Sequence, residues 1–272
     1  MPDISTAAAS VRHGMVTAMT PIAHEAVRGA GRSFGIPDPV TEAFVRLLRP
    51  CVYLCPYEEL PEELREDARP AARAGGPARL PEDVTVPAYV PHVVTVDCAA
   101  VPTGVLDIEF PADGHVAILA EVTDQDEGFV IHLPAGTETV ERHPRETEPN
   151  TPNAHESFPL YAVAGTTMPG ALRRSHVVEA VDYAEGDAER ARLVDNLIEE
   201  IGAILAVRWG YGIQLGGFAP AWHDPLEDRG NILFVSIPES AVFGGECITL
   251  VSGSREQIAE RRYSELEFDV ES

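Results

Sequence analysis

Lysine is missing from this sequence: all 20 basic residues are arginine. This absence excludes enzymes that bind a substrate or pyridoxal phosphate through a lysine Schiff base. It also excludes the lysine-dependent phosphate-binding loop and kinases that use the usual strand lysine. No Gly-x-Gly-x-x-Gly motif follows a strand-like run, so a dinucleotide cofactor is not predicted either.

Positive charge is scarce as well. The chain carries 44 acidic residues against 20 arginines, which gives a net charge of -24. Nucleic acids and anionic membranes require clustered cations, so neither is predicted as a partner. The acidic balance is typical of a solvated, soluble surface, and it also favours a basic protein partner attracted by the field.

Cysteine and long apolar runs are few. The longest apolar run, residues 201–207, is too short to span a bilayer, and the start of the chain does not resemble a signal peptide. We therefore expect a cytoplasmic protein with reduced, mostly buried thiols. The spacing of Cys51 and Cys55 suits neither a redox pair nor a zinc site, and no metal or other cofactor is predicted. The remaining cysteines, Cys98 and Cys247, lie in strand-like surroundings.

A pattern of double glycine followed by strand-like runs occurs twice. Gly75-Gly76 precedes the apolar run 92–97 by 17 residues, and Gly216-Gly217 precedes the run 231–237 by 15 residues. The pattern predicts two related halves. We expect a mainly antiparallel α+β fold, with sheets in two similar halves, packed helices and an N-terminal helical extension.

The predicted domains follow from this pattern. Residues 1–70 form the N-terminal helical extension, and residues 71–272 form the α+β domain. Its half-modules cover about 71–136 and 185–272, and a segment rich in proline and glutamate joins them.

Alternation and short turns predict the strands of the first half as an antiparallel meander: 93–96, 105–110, 116–120 and 129–133. A further strand is expected over 175–181. Leucine and isoleucine at every fourth position predict a helix that begins at Asp187 and ends near residue 210. The tail alternates from residue 264 onward, like a final edge strand. Earlier in the chain, we expect helices over about 5–27 and from Pro39, a short strand over 51–54 and a solvated helix over 57–67.

These motifs resemble the YwqG-like family, a bacterial family whose function is uncharacterised. The residues that carry the resemblance are Gly75-Gly76-Pro77 with Leu80-Pro81, the run 92–97, Leu215-Gly216-Gly217-Phe218 and the run 232–235. It covers roughly residues 70–272. The resemblance implies an antiparallel α+β fold of two similar halves and no established activity. The family tends to carry Gln at the position of His223.

Two groups of residues are candidate contacts for a ligand or partner. Gly75, Gly76, Gly216 and Gly217 allow close approach of the backbone, and if their loops face each other they would line a groove between the halves. They equally suit tight turns between packed layers. Phe218 and Trp222 belong to an aromatic cluster with Trp209 and Tyr211, which is typical either of a partner hot spot or of a sealed core.

His223 and Asp224 complete the candidate set. A histidine beside carboxylates can act as a base or bind a divalent metal, while the same residues read equally well as an exposed turn before a strand.

We therefore expect a non-enzymatic binding protein with an acidic surface, for a basic protein partner. The alternative is a small-molecule-binding or metal-dependent enzyme with a site between the halves that uses His223 and Asp224. An enzyme should bury His223 in a pocket, whereas an interaction protein should expose the aromatic residues. A third hypothesis places the function in the first part of the N-terminal helical extension.

Overall fold

The computed structural model describes residues 19–87, 89–102, 104–121, 127–143, 156–170, 176–206, 212–220, 225–242 and 246–271. Seven α-helices lie in these ranges: α1 Met19–Ser33, α2 Asp38–Leu47, α3 Glu62–Arg65, α4 Val178–Ala184, α5 Ala188–Ala206, α6 Glu239–Val242 and α7 Arg255–Ala259. The strands are β1 Arg49–Cys55, β2 Pro70–Ala74, β3 Ala78–Leu80, β4 His92–Asp97, β5 His115–Ala120, β6 Gly128–Leu133, β7 Val140–Arg142, β8 Phe158–Thr167, β9 Ile213–Leu215, β10 Ile232–Pro238, β11 Ile248–Gly253 and β12 Glu267–Glu271.

Ten of these strands form one antiparallel sheet in the order β12-β11-β10-β9-β1-β8-β2-β4-β5-β6. The expected α+β class and the meander β4-β5-β6 are therefore confirmed. β1 and β8 pair along seven positions at the centre, from Arg49 opposite Thr167 to Cys55 opposite Tyr161. The sheet curls until it is nearly closed: a Cβ on Gly128 of β6 would lie only 2.1 Å from the Phe268 ring of β12.

A segment between β4 and β5 fills the space inside the curled sheet. Val105 and Ile108 are buried in the main core, and the Phe110 ring stacks on Phe234 with centroids 5.8 Å apart. The prediction of a strand over 105–110 is wrong, because this segment has no strand pairing. Its apolar pattern comes from packing against the core, and Gly104, with a φ of +74°, turns the chain after Pro102.

Helices α1, α2, α4 and α5 form a second layer. Their shared core contains the fully buried Phe44, Leu197 and Ile201. The helix predicted from Asp187 is confirmed as α5, and the Asp187 carboxylate caps it by accepting the N–H groups of Glu189 and Arg190 at 3.0 and 3.1 Å. No described helix combines the length and the apolar character needed to cross a membrane.

The prediction of a strand over 175–181 is wrong, since α4 begins at Val178. Val177 and Ala180 are buried three residues apart against the helical layer, so the apolar pattern there follows a helix. The short strand expected over 51–54 is confirmed as β1. It comes from the predicted N-terminal extension, yet it lies between β9 and β8 in the sheet. The final edge strand is confirmed as β12, and α1 overlaps the end of the helix expected over 5–27, whose first part lies outside the described residues.

Phe234 should be a main contributor to stability, because it is fully buried and contacts both Phe110 and Tyr263. We expect Phe234→Ala to lower the free energy of unfolding by about 3–5 kcal/mol through the cavity it leaves. Val140→Ala, at a 44% exposed position, is the control and should change it by no more than about 0.5 kcal/mol. Urea unfolding followed by circular dichroism measures both, and equal losses would contradict this account of the core.

Candidate functional site

Both double glycines form left-handed turns at the end of a strand. The φ angles are +63° and +68° at Gly75 and Gly76, and +64° and +75° at Gly216 and Gly217. In each turn the first glycine donates its N–H to the neighbouring strand, Gly75 to the Val93 oxygen at 2.9 Å and Gly216 to the Phe234 oxygen at 3.2 Å. Glycine is needed here because a side chain strains this backbone conformation.

The residue two positions before each double glycine holds its turn. The Arg73 guanidinium donates to the Gly75 oxygen at 3.4 Å and to the Pro77 oxygen at 2.9 Å. The Gln214 amide donates to the Gly216 oxygen at 2.8 Å and to the Phe218 oxygen at 2.9 Å. The two side chains therefore bond the carbonyls two and four residues further on in both turns.

The second turn is surrounded by polar partners. Gly217 donates its N–H to Asp107 Oδ1 and Phe218 donates its N–H to Thr167 Oγ1, both at 2.8 Å. The Arg49 guanidinium lies 3.9 Å above the Phe218 ring, which is only 8% exposed. These contacts lock the turn into the structure, so its glycines and Phe218 lie beneath the surface.

The first turn is attached to a buried histidine. His92 Nδ1 lies 3.0 Å from the Gly75 oxygen, and its Nε2 lies 2.8 Å from Thr95 Oγ1. Because a carbonyl only accepts, Nδ1 carries the hydrogen and the Thr95 hydroxyl donates to Nε2. Burial, and next the charge of Arg73, lower the pKa of His92 to about 4. The imidazole is therefore neutral at pH 7 and serves to fix the turn.

A cavity of about 430 Å³ adjoins this first turn. Its lining comes mainly from β2, β4 and the loop between β6 and β7, with single residues from β3, β5 and β6. Its lining combines charged, hydroxyl and apolar groups: Pro70, Ala71, Ala72, Arg73, Arg79, Thr95, Asp97, His115, Leu133, Pro134, Gly136, Thr137 and Thr139. Arg73 belongs both to this cavity and to the first double-glycine turn, which makes the cavity the best-defined candidate site.

A second cavity of about 500 Å³ lies where the edge strands β6 and β12 approach each other. It contains Glu127, Gly128, Glu267 and Asp269, and Arg229 is already paired with Asp269 at 2.7 Å. This cavity is the seam of the nearly closed sheet, and its one arginine is held by carboxylates of the protein itself.

The two double-glycine turns do not face each other. β2 ends beside Phe158 at the start of β8, whereas β9 ends beside Val52, close to the Thr167 end of β8. β8 has ten residues, so the turns are separated by about 30 Å along the sheet. The hypothesis of a groove shared by both turns is therefore wrong, because β2 and β9 run in opposite directions.

The other predicted site residues lie outside the described residues. Trp222, His223 and Asp224 follow the second turn there, as do Trp209 and Tyr211 before it, and their contact with a ligand stays a prediction. Among the described residues, no group of three or more His, Cys, Asp and Glu side chains is placed to hold a metal ion.

The cysteines behave as the sequence predicts. None of the four forms a disulfide, and three are buried, Cys51, Cys55 and Cys98. Burial raises the pKa of Cys55 and of Cys98 to about 12. These groups are thiols at neutral pH, and a thiol is a poor nucleophile.

Sequence reasoning missed three residues and one motif. Arg73 and Gln214 could have been found by aligning the two copies on their double glycines, since each lies two positions earlier. His92 stands at the start of a strand, and its bond to the turn is formed only when the chain folds.

The pattern Gly-x-Ser-x-Gly occurs at 31–35, but Ser33 ends α1 and donates to the Ala30 oxygen at 2.8 Å. It is therefore not a strand-to-helix nucleophile elbow.

No known protein family matches this chain in a comparison with family descriptions, and a comparison with curated proteins finds no match either. The resemblance to the YwqG-like family stays a prediction.

A comparison of the variants Gly217→Ala and Gly104→Ala separates the stability cost of backbone strain from the cost of steric clash. Both glycines have a φ near +75°, but a Cβ at Gly217 would meet Thr167 Oγ1 at 2.4 Å, while at Gly104 it would meet nothing within 4 Å. We expect Gly104→Ala to cost about 1–2 kcal/mol of stability from the backbone alone. Gly217→Ala should cost a further 1–3 kcal/mol, roughly, from overpacking. Chemical unfolding measures the difference, and equal losses would show that the turn is not tightly enclosed.

His92 should make stability depend on pH. Its folded pKa of about 4 lies below the ordinary value of 6.5, so the unfolded chain binds the proton more tightly. Stability is then greatest above pH 6.5 and falls as the pH is lowered towards 4, by about 3 kcal/mol in total from this group. The measurement is urea unfolding of wild type and His92→Gln between pH 4 and 7. The wild type should lose more stability than the variant over this window, and parallel curves would contradict a buried neutral imidazole.

Proposed function

We propose that this chain is a non-enzymatic binding protein that attracts a basic protein partner to one acidic face. The acidic face consists of one exposed aromatic residue and five exposed carboxylates: Tyr57, Glu58, Glu59, Glu62, Glu63 and Glu66. The observation that carries the proposal is that no arginine of the described chain forms an ion pair with any of these five carboxylates.

Two prolines shape this face. Pro56 precedes a single 3₁₀ turn over Tyr57–Glu59, and Pro61 precedes the four-residue helix α3. The continuous helix expected over 57–67 is therefore interrupted, because Pro61 cannot donate a helical hydrogen bond. Both short elements present their glutamates to solvent.

The one arginine within the face is used by the backbone. Arg65 Nε donates to the Leu60 oxygen at 2.9 Å, and its Nη2 donates to the Glu58 oxygen at 2.7 Å. Its guanidinium thus ties α3 to the preceding 3₁₀ turn and forms no ion pair with a neighbouring glutamate. Partial burial, and then the negative charge of Glu58, raise the pKa of Glu59. Repulsion between carboxylates thus persists on this face, and a bound cation would relieve it.

Several carboxylates elsewhere are neutralised by arginines. Eight arginines of the described chain form ion pairs: Arg28, Arg32, Arg46, Arg49, Arg79, Arg190, Arg229 and Arg262. The five carboxylates of the acidic face form no such ion pair within the described residues, and the exposed ring of Tyr57 distinguishes this face from the exposed, likewise unpaired glutamates of α5.

Tyr57 supplies a second feature suited to a basic partner. Its side chain is 42% exposed, while its ring packs edge-on against Tyr161 with centroids 5.4 Å apart. A fixed aromatic ring beside carboxylates can hold an arginine or lysine of a partner through a cation–π contact and an ion pair together.

We also propose that the fold consists of two similar halves. The sheet order places four strands on each side of the central β1–β8 pair. Arg73 and Gln214 make equivalent bonds to their turns, and Cβ atoms at Gly76 and Gly217 would meet Ser157 and Cys51 at 2.9 and 3.0 Å. Ser157 and Cys51 precede Phe158 and Val52, which pair with the strands that carry the two turns.

A charge-matched pair of variants tests the acidic face. One variant carries four Glu→Gln changes, at Glu58, Glu59, Glu62 and Glu63, and the control carries the same change at Glu185, Glu189, Glu199 and Glu200, which are also exposed. Each protein is immobilised and exposed to cell extract at low salt, and bound proteins are released at high salt. Wild type and control should retain the same basic protein, and the acidic-face variant should lose it.

Titration with the purified partner then measures how much each variant changes the binding affinity. We expect the acidic-face variant to bind it at least about tenfold more weakly than the control, because exposed charge pairs contribute about 0.2–1 kcal/mol each. Tyr57→Ala should weaken binding as well. Retention of no basic protein by wild type, or equal loss in both charge variants, would overturn the proposal.

A further inference from the structure

We infer that the cavity over β2 and β4 is a binding site for a small organic monocarboxylate, which Arg73 holds through its guanidinium. This inference goes beyond the proposed function and does not depend on it, because no residue of the acidic face lines the cavity. The cavity and the acidic face can thus be tested separately.

Arg73 is a cation without a carboxylate partner. Its three hydrogen-bond acceptors are neutral: the Pro77 oxygen at 2.9 Å, the Gly75 oxygen at 3.4 Å and Ser157 Oγ at 3.3 Å. No carboxylate of the described chain lies within ion-pair distance of it. In a chain with more than two acids for each arginine, a half-buried arginine left without one is unexpected.

The electrostatics of the cavity favour an anion. Burial, and next the positive charge of Arg79, lower the pKa of Arg73, and the negative charge of Glu141 offsets only part of this. The charged guanidinium is therefore under-compensated where it lies. A bound anion would supply the missing compensation, and in this partly enclosed place its charge would be screened less than at the surface.

The backbone contacts orient the guanidinium in advance. Two of its nitrogens are tied to the first double-glycine turn, so the side chain loses little freedom when a ligand arrives. No protein acceptor in the described chain bonds Nε, which leaves that donor for a ligand. Arginine favours planar carboxylates because its donors match their two oxygens.

The rest of the lining defines the body of the ligand. Ala71, Leu133 and Pro134 offer apolar contact, and Thr139, which directly precedes β7, adds a hydroxyl group to the lining. A volume of about 430 Å³ is within the range of sites for small molecules. The cavity therefore suits a carboxylate attached to a compact apolar group.

Two acids limit the charge of the ligand. Asp97 lines the cavity, and Arg79 is paired with Glu141 at 3.1 Å. With Arg79 paired to Glu141, Arg73 is the one arginine of the lining without a carboxylate partner in the described chain, and the negative charge of Asp97 would repel a dianion such as a phosphate monoester more strongly than a monoanion. A monocarboxylate matches this balance.

Binding of benzoate and of propanoate, measured by ligand-observed NMR titration, tests the site. We expect saturable binding of at least one of them at millimolar concentration, with phenyl phosphate and the neutral benzyl alcohol binding at least about tenfold more weakly. Arg73→Gln should weaken carboxylate binding by about tenfold or more, and Arg73→Lys by less, since a point charge replaces the planar fork.

Two further variants keep the result interpretable. Thr139→Trp fills the cavity while Arg73 and its bonds to the turn are retained, and it should also abolish binding, so a loss in this variant does not come from removal of the bonds that hold the turn. Arg192→Gln removes an equal charge from the exposed surface of α5 and should bind like wild type. Absence of saturable binding to wild type, equal affinity in Arg73→Gln or undisturbed binding in Thr139→Trp would each overturn the inference.

Discussion

Pairing of β1 with β8 at the centre of the sheet is the constraint on which the rest of the structure depends. These two strands join the halves of the sheet through seven paired positions, and the outer strands are added on either side. Because the pairing is antiparallel, the strands that flank it, β2 and β9, also run in opposite directions. That geometry sends the two double-glycine turns to opposite ends of β8. It gives each turn its own surroundings, an arginine-lined cavity at one and an enclosed polar cluster at the other.

Local patterns in the sequence predicted the elements with regular spacing. The stripe of α5, the meander β4-β5-β6 and the edge strand β12 could all be predicted, because their periodicity reflects one buried face. The segments 105–110 and 175–181 could not. Both are apolar, but the first fills the core as irregular chain and the second begins a helix. Their conformation is decided by distant packing partners such as Phe234, which no local pattern reveals.

The candidate site could likewise be predicted only in part. Double glycines at 75–76 and 216–217 could be predicted as special backbone positions, and both do have positive φ angles. Arg73 could not be recognised as a site residue, because an arginine in an alternating strand is ordinary. Its significance comes from the missing carboxylate, and that can be judged only once the neighbours of the guanidinium are known. The acidic segment 57–67 could be recognised from its composition, but the bonding of Arg65 to backbone oxygens instead of to a glutamate depends on the fold.

Placement of β1 between β8 and β9 also has a consequence for how the chain is made. Val52 pairs with Ala164 on one side and with Leu215 on the other, so the earliest strand of the sheet acquires its neighbours only after most of the polypeptide has left the ribosome. Until then its apolar residues must remain uncovered by native partners. Such distant pairing is slow, because a long loop must close before the contacts that stabilise it form. The contiguous strands β1, β8, β2, β4, β5 and β6 are all complete by Thr167, but the edge of β1 that pairs with β9 stays open until Leu215 is made. The nascent chain therefore passes through a period in which its central strand is exposed to chaperones and to aggregation.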